Sequence, residues 1–286
     1  MASVARVEPA DPGDHRAISA YVARAQLMAA RHVTYVGDEA ATILAEFAEV
    51  GRWDERLTVA KVDEAIVGVL LAEIDEEMRR VWWVGPWADS PVIAFDLLDD
   101  ACGRFGSLFD TEEMAPDSRN DMLRSIAADR GFIEGTSSSV LTITELDSSG
   151  EPSTVPLTEA TSAAVARLHD LIFPGTHTPG AKLVTAERTR IRVVSIGDRP
   201  VGYVAYEIQP DGAGYIDFLG VVPELRRGGL GRTLVIDACR DLAIAGAGSA
   251  HLTVRAGAQG AVDLYRSIGF IEERAIIPCR KGFTLE

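Results

Sequence analysis

A run of glycines and arginines stands where a strand should give way to a helix, in Tyr215-Ile216-Asp217-Phe218-Leu219-Gly220-Val221-Val222-Pro223-Glu224-Leu225-Arg226-Arg227-Gly228-Gly229-Leu230-Gly231-Arg232. Residue types in this order suit an anion. The first N–H groups of a helix have no intrahelical partner and carry partial positive charge. Glycines remove the Cβ atoms that would keep a phosphate from those groups. Arg226, Arg227 and Arg232 add charge around the same spot. Neither the dinucleotide fingerprint nor the nucleoside-triphosphate loop has this spacing, and no Lys-Ser or Lys-Thr follows. The plain alternative is a glycine-rich turn carrying surface arginines.

Such a loop needs a strand before it and a helix after it, and the surrounding pattern supplies both. Alternating, β-branched runs predict antiparallel strands at Ile191–Ile196, Val201–Ile208 and Gly214–Val222. Apolar residues at Leu230, Leu234, Ala238 and Leu242 give the helix its buried stripe. A further strand follows at His251–Val254, then a short helix at Ala261–Ile268 with Gly269 as its stop. Val155-Pro156-Leu157 suits a first short strand, and apolar spacing marks a helix over Ala160–Ile172.

The same layout occurs earlier in the chain. Leu57–Gly68 aligns with Ile191–Gly202 without a gap, Asp100-Ala101-Cys102 recurs as Asp237-Ala238-Cys239, and Gly131-Phe132-Ile133-Glu134 recurs as Gly269-Phe270-Ile271-Glu272. The ordered matches and near-constant offset predict a duplicated domain. Val7-Glu8-Pro9 and Ile18–Ala30 then stand for the first strand and helix of the earlier copy. The polar, breaker-rich stretch from Asp147 to Ser153 reads as a linker between domains at 1–146 and 154–286.

The bulk numbers agree with two globular domains. The chain has 286 residues, 47% of them hydrophobic and 25% charged. No apolar run is long enough to span a membrane, and MASVARVEP lacks the apolar core of a secretory signal. Cys102, Cys239 and Cys279 have no metal-ligand spacing and leave an odd one over, which predicts inert thiols in a reducing cytoplasm. The net charge of −15 argues against nucleic acid as a partner. Residues 1–150 hold 13 Lys and Arg against 28 Asp and Glu, so the whole imbalance sits there and the later half is neutral. An anionic cofactor is tolerated only by the later half.

Val-x-Pro-x-x-Arg-x-x-Gly-x-Gly, read from Val221 to Gly231, is similar to the cofactor signature of the GNAT superfamily of N-acetyltransferases. Leu264-Tyr265-x-x-x-Gly269-Phe270 resembles that family's final helix. The resemblance implies an α/β (α+β) protein of two tandem acetyltransferase-like domains, each a mixed, mostly antiparallel twisted sheet flanked by helices. It implies acetyl-coenzyme A as co-substrate. Backbone groups of Leu219, Gly220 and Val221 would hold the pantetheine and acetyl carbonyl. Those of Arg226, Arg227, Gly228, Gly229, Leu230, Gly231 and Arg232 would hold the pyrophosphate. The strands at Tyr215–Val222 and His251–Val254 would part to admit the pantetheine arm.

Acetyl transfer needs a neutral amine, a polarised thioester and a proton for the leaving thiolate. Tyr265 falls on the family's tyrosine position and is the expected acid; the competing role is packing. Asp217 is the favoured base, since strand alternation puts it on one face with Leu219 and Val221. Glu207, on the adjacent strand, is the second candidate. His177 lies in the loop that covers the acceptor site in similar enzymes. Many family members carry Asn seven residues before the tyrosine, where this chain has Ala258.

Carrying the signature back through the repeat turns Arg226, Arg227, Gly228 and Gly229 into Asp89, Ser90, Pro91 and Val92, and Tyr265 into Ala127. Proline has no N–H, and side chains fill the phosphate's space. The earlier copy is therefore expected to bind no cofactor and to serve as scaffold, with Trp53, Trp82, Trp83 and Trp87 as packing residues. Tandem copies can cover the surface that single-domain relatives use to dimerise, so a monomer or weak homodimer is expected, an organisation similar to that of mycothiol synthase. The expected acceptor is a small-molecule amine. A protein or peptide amine, or a non-catalytic acetyl-coenzyme A sensor, are the alternatives.

Overall fold

The computed structural model describes residues 4–33, 36–176 and 178–282. The first copy runs β1 (Arg6–Pro9), α1 (His15–Gln26), α2 (Ile43–Phe47), α3 (Trp53–Arg56), β2 (Leu57–Val62), β3 (Ala65–Asp75), β4 (Arg80–Ala88), α4 (Pro91–Phe105), β5 (Thr111–Met114), α5 (Asp121–Asp129) and β6 (Ile133–Glu134). After β7 (Ser138–Ile143) the pattern restarts with β8 (Val155–Pro156), α6 (Glu159–Ile172), α7 (Gly180–Leu183), β9 (Arg190–Ile196), β10 (Arg199–Ile208), β11 (Gly214–Val221), α8 (Leu230–Ile244), β12 (Ala250–Arg255) and α9 (Gln259–Ile268). Two further strands follow, β13 (Ile271–Ile276) and β14 (Cys279–Lys281).

The two sheets repeat one topology. Their orders are β1-β2-β3-β4-β5-β14-β6 and β8-β9-β10-β11-β12-β7-β13. Position by position these are equivalent, but the sixth place in each is filled by a strand from the other half of the sequence. The compact units are accordingly Met1–Ser138 with Arg274–Glu286, and Ser139–Glu273. This differs from the linear division at 1–146, 147–153 and 154–286. The polar stretch 147–153 does connect β7 to β8, but β7 already belongs to the second unit, while the terminal segment belongs to the first. Charge pairing accompanies that placement. β14 pairs antiparallel with β5, and Lys281 meets Glu112 at 2.7 Å while Arg280 meets Glu113 at 3.2 Å.

In both sheets the first four strands pair antiparallel and the fourth and fifth run parallel, at β4·β5 and β11·β12. In the second unit the sheet is buried on both faces. Val201, Tyr203, Ala205 and Phe218 pack with Val165 and Leu168 of α6. Val204, Tyr206 and Ile216 pack with Leu234, Ala238 and Leu242 of α8. Leu234 and Leu242 are fully buried, each contributing roughly 1.5–3 kcal/mol. This stripe is the one the spacing predicts, and it fixes where α8 begins relative to β11. Among the described residues no helix is long and apolar enough to cross a membrane.

Candidate active site

The site begins where two parallel strands separate. β11 pairs with β12 through Gly214↔Ala250, Tyr215↔His251 and Ile216↔Leu252. The pairing then stops, although β11 continues to Val221 and β12 to Arg255. On its other side β11 stays paired with β10 as far as Gly202↔Val221. The cause is local. Ala205 faces Phe218 and its neighbour Tyr206 faces Ile216, which leaves Asp217 as an extra residue in β11. Such a bulge bends its strand and sharpens the twist.

The N–H of Val222 donates to Val201 O of β10 at 2.9 Å. Backbone groups alternate sides along a strand, so those of Leu219 and Val221 face the opened gap. Arg226 Nε donates to Val221 O from that side at 3.1 Å. The wedge expected between these strands is therefore present, with Leu219 and Val221 lining it.

Beyond the gap the chain turns sharply into α8. Arg227 and Gly229 both adopt left-handed backbone, with φ of 67° and 87°. Gly229 is the N-cap of α8 and no side chain caps it. Among the described residues, Thr233 N–H bonds back to Gly229 O, while no backbone bond takes up the N–H groups from Arg227 to Arg232. Nothing lies within 4 Å of the place a Cβ would take on Gly229. Open space, unspent donors and a helix N-terminus fit a diphosphate. Gly231 is different, for its Cα packs against Leu264 of α9. Arg232 is also engaged with that helix, donating to Ser267 O at 2.9 Å and Ser267 Oγ at 2.8 Å. Arg226 and Arg227 remain beside the turn, with the Arg227 guanidinium reaching Gly260.

Tyr265 of α9 belongs to the cluster that includes Leu219 and Val221 from one side of the gap and Leu252 and Val254 from the other. Its ring meets Phe270 edge-on at 5.8 Å. The residue is buried, and this pushes its phenol up to about 12. Its hydroxyl therefore keeps its proton at neutral pH.

The carboxylates occupy the other face. Ile216 packs on the α8 side with Leu219 and Val221, whereas Phe218 packs on the α6 side. Strict alternation would put Ile216 and Phe218 together, so the bulge breaks the pattern that groups Asp217 with Leu219 and Val221. Tyr203, Ala205 and Glu207 follow one another on the α6 face of β10, and Asp217 is coupled to two of them. Burial, then the charge of Glu207, pushes its carboxyl up to about 7. The Asp217 and Asp170 charges add to burial in raising the Tyr203 phenol. Asp217 and Glu207 are thus neighbours, as sequence reasoning needs of two candidate bases.

One residue of this face was not singled out from the sequence. His169 of α6 is fully buried, with Nδ1 2.6 Å from Tyr203 Oη and Nε2 2.8 Å from Thr178 O. The only available signal was a histidine on the apolar stripe of Val165, Leu168 and Ile172. His177 lies outside the described residues.

Residues 163–270 match the acetyltransferase (GNAT) family. These residues lie within the second unit. The whole chain has the fold of solved GNAT proteins. A GCN5-related N-acetyltransferase from Sphaerobacter thermophilus is 16% identical with a TM-score of 0.75, covering 97% of this chain and 95% of that one. A glucosamine N-acetyltransferase region within a fungal multi-domain GH3 β-N-acetylglucosaminidase is 11% identical with a TM-score of 0.73, covering 98% of this chain and 38% of that one. A tandem GNAT protein from the clavulanic acid biosynthesis pathway is 10% identical with a TM-score of 0.66, covering 99% of this chain and all of that one. No curated protein is significantly similar in sequence.

The first unit carries the same GNAT topology without the anion loop. α4 starts at Pro91, and its N-cap Ser90 accepts from Ile93 N–H, so the helix end is closed by its own side chain. Asp89, standing where Arg226 does, is bound by Tyr21 Oη at 3.0 Å and Arg31 at 2.8 Å. Trp83 and Trp87 are core residues; their indole N–H groups donate to Glu112 and Gln26. Asn120, by contrast, caps α5 through Leu123 N–H at 3.1 Å, while Ala258 leaves α9 uncapped.

Proposed function

We propose that this chain is an acetyl-coenzyme A-dependent N-acetyltransferase that transfers acetyl directly to the amine of a small molecule, in its second unit. The observation that carries the reading is the wedge between β11 and β12, leading into the uncapped, left-handed turn at Arg227–Gly229. Its counterpart in the first unit is self-capped.

The N–H groups of Arg227–Arg232 would hold the diphosphate, and the gap-facing groups of Leu219 and Val221 would hold the pantetheine arm and the acetyl carbonyl. When bound, acetyl-coenzyme A supplies an acyl group activated as a thioester. Asp217, held at about 7, takes a proton from an ammonium acceptor near neutral pH, with Glu207 beside it favouring a cationic amine. Tyr265 holds the proton for the departing thiolate, whose conjugate thiol titrates near ~8.5. Two proteins of the same fold support a small acceptor, one named for glucosamine and one for the clavulanic acid pathway.

The test is calorimetric titration with acetyl-coenzyme A, then free-thiol release with amino sugars, polyamines, amino acids and peptides. Binding plus thiol release with a small amine is expected. Release with peptides alone moves the acceptor to protein. Tight binding with no release makes the domain a sensor, and absence of binding overturns the reading.

A further inference from the structure

Beside the turn that follows β11, the second unit keeps an open groove that the proposed transfer does not involve. Its larger cavity, of about 420 Å³, is bounded by Ile196, Val201, Val222, Leu225, Arg199 and Glu224. An adjoining cavity of about 270 Å³ runs along α6, against Ala164, Leu168, Leu171 and Arg167. Arg199 and Val222 line both and join them. Small-molecule sites have this size, about 300–1,000 Å³. Val201, Val222, Leu225 and Leu168 pack on the α6 side of the sheet, whereas Leu219 and Val221 of the gap pack on the α8 side.

The walls are apolar, and two of their side chains stand in water: Leu171 is 74% exposed and Ile196 61%. Arg167 and Arg199 are exposed as well, and among the described residues neither has an ion-pair partner. The first unit treats the same corner differently. There Asp89 N–H donates to Val67 O at 3.0 Å, the same backbone closure that Val222 N–H makes on Val201 O. Tyr21 of α1 then fills the corner, its hydroxyl bonding Val67 O at 2.8 Å and Asp89 at 3.0 Å, with Arg31 on the same carboxylate. α6 presents Ala164, Leu168 and Leu171, which cannot make those bonds, and the corner stays open.

We propose that this groove is a second small-molecule site, for a monocarboxylic acid with an unbranched apolar tail. The carboxylate lies in the smaller cavity, which both arginines line, and accepts charge-assisted hydrogen bonds from them. The tail passes over Val222 into the larger cavity, against Val201, Leu225 and Ile196. Glu224 at that end repels a second carboxylate, which selects monoacids over diacids. The site does not rest on the acetyltransferase reading.

Equilibrium dialysis of the full chain with octanoate tests this, with hexanoate, octanamide and octanedioate as comparisons. Octanoate should bind, and hexanoate should bind about 5- to 15-fold more weakly for its two missing methylenes. Octanamide and octanedioate should each be weaker by about ten-fold or more. Arg167→Gln and Arg199→Gln should each weaken octanoate about 5- to 20-fold, and Ile196→Asp should nearly abolish its binding. All three positions are exposed, so Tm should hold. Octanoate should also slow amide exchange over residues 196–201 and 222–225, and saturating coenzyme A should not displace it.

Failure of octanoate to bind, equal affinity for octanamide, indifference to the three substitutions, or displacement by coenzyme A would overturn the proposal. Self-association of the chain that octanoate does not relieve and Ile196→Asp abolishes would make the groove an interface between copies, and would overturn it too. Wild-type protein that binds octanoate in this pattern but no acetyl-coenzyme A leaves the site standing and overturns only the enzymatic reading.

Discussion

The ring of Tyr203 fills the place where a side chain on Gly220 would stand: a Cβ there would lie 2.6 Å from Tyr203 Cε1 and 3.0 Å from Ile172 Cδ1. Gly220 is thus required by packing beneath the strand, while its backbone groups face β10 and not the gap, unlike the pantetheine-holding role expected of it beside Leu219 and Val221. Gly220→Ala should destabilise by about 1–3 kcal/mol through overpacking, seen as a lowered denaturation midpoint. Because the ring is fixed by His169, the strain should pass to β11, and acetyl-coenzyme A affinity should fall with it.

Gly229 has φ of 87° and open space around its Cα, while Val92, its counterpart in the first unit, is 67% exposed. A β-branched residue at Gly229 is strained by the left-handed backbone and enters the phosphate's space. Gly229→Val should abolish cofactor binding in calorimetry, and Val92→Gly should leave it unchanged. Loss of binding from the Val92 variant would place the cofactor in the wrong unit.

Tyr265→Phe keeps the contact with Phe270 and removes only the hydroxyl. Loss of a general acid costs roughly 10²–10⁴-fold in rate. The expectation is a kcat reduced in that range with cofactor affinity within a factor of about two. Parallel losses in both would assign Tyr265 to packing alone.

With Asp217 near 7, activity that depends on its carboxylate should rise about tenfold per pH unit below that value and level above it. The kcat/KM profile checks this, and Asp217→Asn should remove the acid limb. The stability consequence has a definite sign. The folded value lies above the ordinary 3.8, so the native state binds more protons between pH 4 and 7 and loses stability as pH rises through that window. Asp217→Asn should therefore raise Tm more at pH 8 than at pH 4.

Ala258 and Asn120 are N-caps with similar backbone, φ −82° and ψ 52° against φ −85° and ψ 69°. Only Asn120 donates and accepts through its side chain. Ala258→Asn should cap α9 and add roughly 0.5–2 kcal/mol, measured as an increased denaturant midpoint.

Much of this protein was fixed by local pattern. The duplicated order of elements, the turn before α8, the degraded turn before α4 and the buried stripe of α8 all follow from residue types within a few positions of one another. Capping, φ preference and hydrophobic periodicity act at that range, so they are written in the chain and survive folding unchanged. The exchange of β7 and β14 follows no such rule. Short strands pair with whichever sheet edge the folded halves present, and only the assembled topology makes that choice. The same holds for Asp217, whose extra place in β11 exists relative to β10 alone, and for His169, whose two partners come from separate stretches of sequence. Spacing named the residues able to do chemistry; long-range pairing decided which face each one serves.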